Sequence, residues 1–182
     1  YALAEGAKVI NISLGGIQAM AVELVAATSS FFKGMRDIIL EAWNEGVAFV
    51  VAAGNGGTDQ IGDDVANIWP AGFRDAITVG SVVGSGTGFA RSNFSNFGDE
   101  LDFAAPGESI PFLRMIGDDT SLIGRGTSFA APIVSGIFAN LFSQDPTISL
   151  ADAYRRIAQS TLDVGVAGFD INTGLVLWNA SF

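Results

Sequence analysis

Apolar positions along this chain fall into short continuous runs separated by longer stretches of helical spacing. Lys8-Val-Ile-Asn-Ile-Ser13 is a short β-rich run that ends on Leu14-Gly15-Gly16. Val47 to Ala53 is the longest unbroken apolar run and stops at Gly54-Asn55-Gly56-Gly57, the pattern of a strand buried on both faces. Ala76 to Val83 predicts a third strand and Leu101 to Ala104 a short fourth. Residues 19–45 fit helix in two pieces, with Ser29, Ser30 and Gly34 weakening the middle. Residues 109–125 predict a hairpin around Gly117-Asp118-Asp119. Thr127 to Phe142, rich in Ala and Gly, predicts a buried helix. Ser149-x-x-Asp152 opens a final amphipathic helix that runs to about Gln159.

Strands separated by helices predict one domain of α/β class, a doubly wound, mostly parallel sheet with right-handed crossovers. Such sheets carry their sites at the carboxyl ends of strands. Ser13-Leu14-Gly15 and Ala53-Gly54-Asn55 both stand at strand ends, so both are expected on one rim.

Composition narrows the chemistry. The 182 residues include no cysteine and no histidine. Disulfides are therefore impossible, thiolate–imidazole metal sites cannot form, and no imidazole base comes from within the chain. The net charge of −10 and the absence of any basic cluster argue against nucleic acid. No apolar run approaches the length of a membrane-spanning helix. Tyr1 stands where an initiator Met would, without a leader-like start, so a processed or shortened chain is expected.

Three segments could carry chemistry, and each also has a plainer reading. In Gly124-Arg-Gly-Thr-Ser128-Phe-Ala-Ala-Pro132, a serine at a helix start has N–H groups at the positive helix end, which suits a nucleophile that generates an oxyanion. The plainer reading makes Thr127 or Ser128 a helix cap. Asn55, flanked by glycines, can aim its amide at developing negative charge, or can be an ordinary turn residue. Ser13-Leu-Gly-Gly16 exposes backbone for pairing with an extended peptide, or simply ends a strand.

Taken together and in order, "VINISLGG", "VVAAGNGG" and "GTSFAAPIVSG" resemble the signature blocks of the subtilisin-like serine proteases, the subtilase family. "ITVGSV", "SNFSNFGDELDFAAPG" and "GLVLWNA" extend the resemblance over nearly the whole chain. It implies a subtilisin-type sheet lacking its N-terminal strands, a serine endopeptidase activity and polypeptide substrates. Residue by residue, Ser128 matches the nucleophile and Asn55 the side-chain oxyanion donor. Ser13, Leu14 and Gly15 would line one wall of the primary specificity pocket and pair with substrate backbone. Ala52, Ala53 and Gly54 would line the other wall. Trp69-Pro70 matches a pair that is commonly cis.

Departures matter too. Ile68 stands where relatives often have Gly at the pocket floor, so a preference for small residues before the cleaved bond is expected. Ile133 replaces a His that often follows the motif's Pro. The Gly16–Gly46 connection, with Phe31-Phe32, is longer than usual and suggests a flap or partner surface. The family uses Asp, His and Ser in that order, and only the Ser block is here. The other two are expected upstream of Tyr1, so the isolated chain should be inactive. The strand at 8–13 would then be left with an uncovered edge, to be met by the missing N-terminal half or a second copy. The family resemblance favours a secreted protein.

Two other readings stay open: a non-catalytic subtilase-like binding or scaffold module, and a sedolisin-like acid protease. A nucleotide site at Gly84-Ser-Gly86-Thr-Gly88 fails on glycine spacing, and a hairpin or loop fits better. No cofactor is required. Asp59, Asp63 and Asp64 could offer oxygen ligands to a structural Ca²⁺, against a plainer role as solvated loop acids. Arg155-Arg156 read as surface charges. Asn-x-Ser/Thr triplets begin at Asn11, Asn93 and Asn179, of which Asn11 is expected to be buried.

Overall fold

A computed structural model of the chain describes residues 1–85, 88–113, 121–162 and 173–176. In chain order the strands and helices are β1 (Val9–Ile12), β2 (Gly16–Ile17), α1 (Val22–Ala26), α2 (Ser30–Asn44), β3 (Ala48–Ala52) and β4 (Ile68–Trp69). They continue with β5 (Ile77–Ser85), β6 (Gly88–Arg91), β7 (Phe103–Pro106), β8 (Ile110–Leu113), β9 (Ser121–Gly124), α3 (Thr127–Gln144), α4 (Leu150–Gln159) and β10 (Leu175–Val176). The main sheet runs β1-β3-β5-β7-β10, all parallel, and β6 pairs antiparallel with the end of β5. The β5–β6 hairpin occupies the glycine-rich stretch weighed as a nucleotide site; Gly86 and Thr87 lie outside the described residues.

The sheet is covered on both sides because its central strands are apolar on both faces. Ala48, Val50, Ile77, Val79 and Phe103 pack with Ala130, Val134 and Phe138 of α3 and with Ala153 and Ile157 of α4. Small residues on α3 bring its axis close to the sheet. Val51 and Ala53 face the opposite way and pack with Val22, Ile39, Val65, Ile68 and Leu101. The α/β class and doubly wound arrangement expected from the sequence are what the chain adopts.

Details differ from the sequence reading. The fourth strand begins at Phe103 rather than Leu101, because Leu101 packs into the α1–α2 side while Asp102 turns to Thr78 and Tyr154. The helical break falls at Ala27–Ser29, and Gly34 continues within α2. The 16–46 connection is no flap: most of it forms the helical layer over one sheet face, with Val22, Ala26, Ile39 and Ala42 buried. Ile17, Met20, Leu24, Phe31, Ile38 and Leu40 stay exposed along it, with Phe31 edge-on to Phe32 and Trp69. β8 and β9 form the expected hairpin, whose turn at Gly117 lies outside the described residues. Neither Thr127 nor Ser128 caps α3, whose N-cap is Gly126. Asn11 is exposed rather than buried, because β1 is the sheet's terminal strand and nothing among the described residues pairs with its free edge. Trp69-Pro70 is cis.

Asp102 is buried, its carboxylate accepting from the Thr78 N–H (2.7 Å) and the Tyr154 hydroxyl (2.7 Å). Burial raises its pKa to about 7, outweighing those two hydrogen bonds. Between the ordinary value of 3.8 and about 7, the folded state holds a proton that the unfolded chain has released. This group's contribution is therefore full below pH 4, falls as pH rises, and is lost above pH 7. Three units at about 1.36 kcal/mol each bound the loss at about 4 kcal/mol. Urea denaturation from pH 4 to 8 should show the stability difference between the protein and Asp102→Asn changing in that direction. A parallel pair of curves would refute it.

Candidate active site

The β1 and β3 carboxyl ends and the start of α3 meet at one rim. A cleft of about 320 Å³ opens there, lined by Ser13, Leu14 and Gly15 on one side and Ala52, Gly54 and Asn55 on the other, with Ile68 and Ser128 also in its wall. Of the site residues expected from sequence, Ala53 alone is not part of it. Its side chain is fully buried on the α1–α2 side of the sheet, because strand alternation turns it away from its neighbour Ala52. Ile68 is buried, and its Cγ2 lies 3.6 Å from where a Cβ would stand on either Gly15 or Gly54, so it spans the base between the walls.

Asn55 closes the first turn of α3 from outside. Its Oδ1 accepts from the Thr127 N–H (2.8 Å) and from the Thr127 hydroxyl (3.0 Å). The same hydroxyl accepts from the Gly54 N–H at 3.1 Å, which ties the two loops together. With Oδ1 engaged, Nδ2 is left as a donor at the cleft. The Ser128 N–H, in the first helical turn, has no intrahelical acceptor. Both donors lie around Gly126, where an added Cβ would stand 3.4 Å from Asn55 Nδ2 and 3.7 Å from the Ser128 nitrogen. The Ser128 hydroxyl makes a long 3.4 Å contact to the Ser13 carbonyl oxygen. Ser13 Oγ donates in turn to the Ser128 carbonyl (3.3 Å) and accepts from Asn11 Nδ2 (3.1 Å). Asn11 Oδ1 accepts from Ser135 of α3, so this polar chain pins β1 to the helix. Among the described residues no basic side chain bonds to Ser128 Oγ.

Sequence reading missed Asn96. It is buried, donates to the Ala53 carbonyl (2.8 Å), and accepts from the Gly56 N–H (2.9 Å) and the Asp63 N–H (2.8 Å). It thus holds both ends of the loop that carries Asn55. Gly54 sits at φ +101°, and a Cβ there would stand 2.4 Å from Asn96 Nδ2, so only glycine fits. Nothing local separates Asn96 from the exposed Asn93 three positions earlier.

Of the three acids named as candidate calcium ligands, two make local contacts. Asp59 Oδ1 accepts from the Ile61 N–H and Asp64 Oδ1 from the Ala66 N–H, both as local turn contacts. Among the described residues no group of three or more acidic side chains is placed to hold a metal ion. None of the described helices is long and apolar enough to cross a membrane.

Comparison with known proteins gives a family match. A family model described as the subtilase family matches residues 1–175. A subtilisin-like protease of Coccidioides posadasii (strain C735) is 34% identical over 156 residues, covering 85% of this chain and 33% of that protein. Subtilisin DY of Bacillus licheniformis is 31% identical over 165 residues, covering 91% of this chain and 53% of that protein. An alkaline proteinase of Hapsidospora chrysogena is 35% identical over 153 residues, covering 84% of this chain and 35% of that protein. The chain thus spans between a third and about half the length of these curated relatives.

Proposed function

The chain belongs to the subtilase family, and from that premise we propose that it supplies the nucleophile and oxyanion half of a serine endopeptidase site. The observation that carries this reading is the pinned Asn55: Oδ1 is committed to Thr127, which leaves Nδ2 to donate in the cleft that Ser128 also lines. Ser128 Oγ attacks the carbonyl carbon of the peptide bond, and its proton passes to an imidazole that polypeptide outside these residues must contribute, since the chain has no histidine. The carbonyl oxygen becomes an oxyanion that Asn55 Nδ2 and the Ser128 N–H stabilise. Collapse expels the amine, which takes the proton, and water then hydrolyses the acyl-serine. The substrate is an extended polypeptide whose backbone pairs along Ser13-Leu14-Gly15.

The side chain before the cleaved bond enters the cleft above Ile68. The closed base predicts small residues there, and Ile68→Gly should widen acceptance toward aromatic ones by roughly 10-fold or more. A peptide-library profile of the unaltered protein dominated by Phe or Tyr would reject this.

Reaction with a fluorophosphonate tests the reading as a whole. The full-length protein should be labelled at Ser128 within minutes, and the isolated 182-residue chain should not, because an unactivated serine is a weak nucleophile. An unreactive full-length protein would instead mark a non-catalytic binding or scaffold module. Rapid labelling of the isolated chain would show that no outside base is needed.

A further inference from the structure

A second cleft, of about 250 Å³, shares Asn55, Gly56 and Gly57 with the first and continues past Gly126 to Gln60, Phe94 and Arg125. Its placement gives it a direction once the proposed reading of the site is accepted. If the carbonyl carbon is held between Ser128 and Asn55, and the acyl side occupies the cleft over Ile68, the chain on the amine side runs into this second cleft.

Its chemistry is set by one side chain. Among the described residues lining the two clefts, Arg125 is the only cation and Asp63 the only anion. The Arg125 guanidinium lies 5.7 Å from the centroid of the Phe94 ring, and its Nη2 donates to Gln60 Oε1 at 2.5 Å. Phe94 is itself buried, so the platform beneath the cation is fixed. Gln60 adopts φ +56°, a conformation uncommon for a residue with a Cβ. No carboxylate among the described residues pairs with Arg125, a condition it shares with Lys8, Arg74, Arg91 and Arg156 but, unlike them, at the wall of this cleft. A guanidinium has five N–H donors, and one is used here. What remains is a braced fork facing a polar cleft, the geometry that takes a carboxylate by two parallel hydrogen bonds.

We propose that Arg125, braced by Gln60 and Phe94, forms a subsite for an acidic side chain within two residues after the cleaved bond. In a chain of net charge −10, general electrostatics disfavour acidic substrates. The preference therefore belongs to this subsite and not to the protein's overall field.

The test uses the full-length protein and pairs of quenched peptides that differ only by Glu or Gln at the first or second position after the bond. The Glu/Gln ratio of kcat/KM should be about five to ten at one of these positions, and it should shrink toward one in about 0.5 M salt. Arg125→Ala should bring that ratio to about one. Arg125→Glu should invert it and favour Lys over Glu, an outcome that loss of structure alone would not produce. A ratio near one in the unaltered protein, or a ratio unchanged by both substitutions, overturns the subsite and leaves the protease reading standing. Failure to cleave any peptide overturns the protease reading and the subsite with it.

Discussion

Ser128→Ala in the full-length protein should lower kcat/KM for peptide hydrolysis by about 10⁴-fold or more, the loss known for removing the nucleophile of a serine hydrolase. Stability should barely move. The hydroxyl is only partly buried and makes one long contact, to the Ser13 carbonyl, so its removal strands no buried partner. This combination separates a chemical role from a structural one. A purely capping serine would show the reverse pattern, with activity kept and helix stability lost. That alternative is already weakened by geometry, because Gly126 is the cap position and the first N–H of α3 is taken by Asn55. Residual hydrolysis above about 1% of the original rate would sink the assignment.

Asn55 has two jobs in the structure, and two substitutions pull them apart. Asn55→Ala should reduce kcat by about 10² to 10³, the range known for deleting one oxyanion donor, with KM little changed. It also removes the acceptor for the Thr127 N–H and hydroxyl, so about 1 kcal/mol of stability should go with it. Asn55→Asp keeps that acceptor and places negative charge at a helix N-terminus, which is favourable for the fold. It deletes the donor, however, and sets a carboxylate against the developing oxyanion. The aspartate variant should therefore be at least as stable as the original and as inactive as the alanine variant. Activity that tracked stability across the pair would reduce Asn55 to a capping residue.

Much of the architecture was legible because it is encoded locally. A continuous apolar run ending in glycine marked β3, a β-branched run from Ala76 to Val83 marked β5, and helical spacing with Ser149 at its head marked α4, where Ser149 Oγ does accept from the Asp152 N–H at 3.1 Å. Differences came mostly where a residue's surroundings are distant in sequence, and in one case where the local strand period was not applied. Asn11 looked like a buried strand residue, and its exposure follows from β1 lying at the sheet margin. Ala53 was placed in the pocket wall with its neighbours, and strand alternation turns it to the opposite face. Asn96 and Arg125 carried no local signal at all.

The sequence by itself determined the alternation of strands and helices, the strand-end placement of Ser13 and Asn55, and the lack of any imidazole within the chain. Each is a property of residue type and near-neighbour order, which period and composition express directly. The tertiary structure alone decided which atom of the Asn55 amide is engaged, through Thr127, 72 positions away. It also decided that Asn96 holds the Asn55 loop across 40 positions to Gly56 and 33 to Asp63, and that Arg125 is braced by Gln60 across 65. Hydrogen bonds of this kind depend on where parallel strands deliver their ends. That delivery is set by packing both faces of the sheet at once, which no local pattern records.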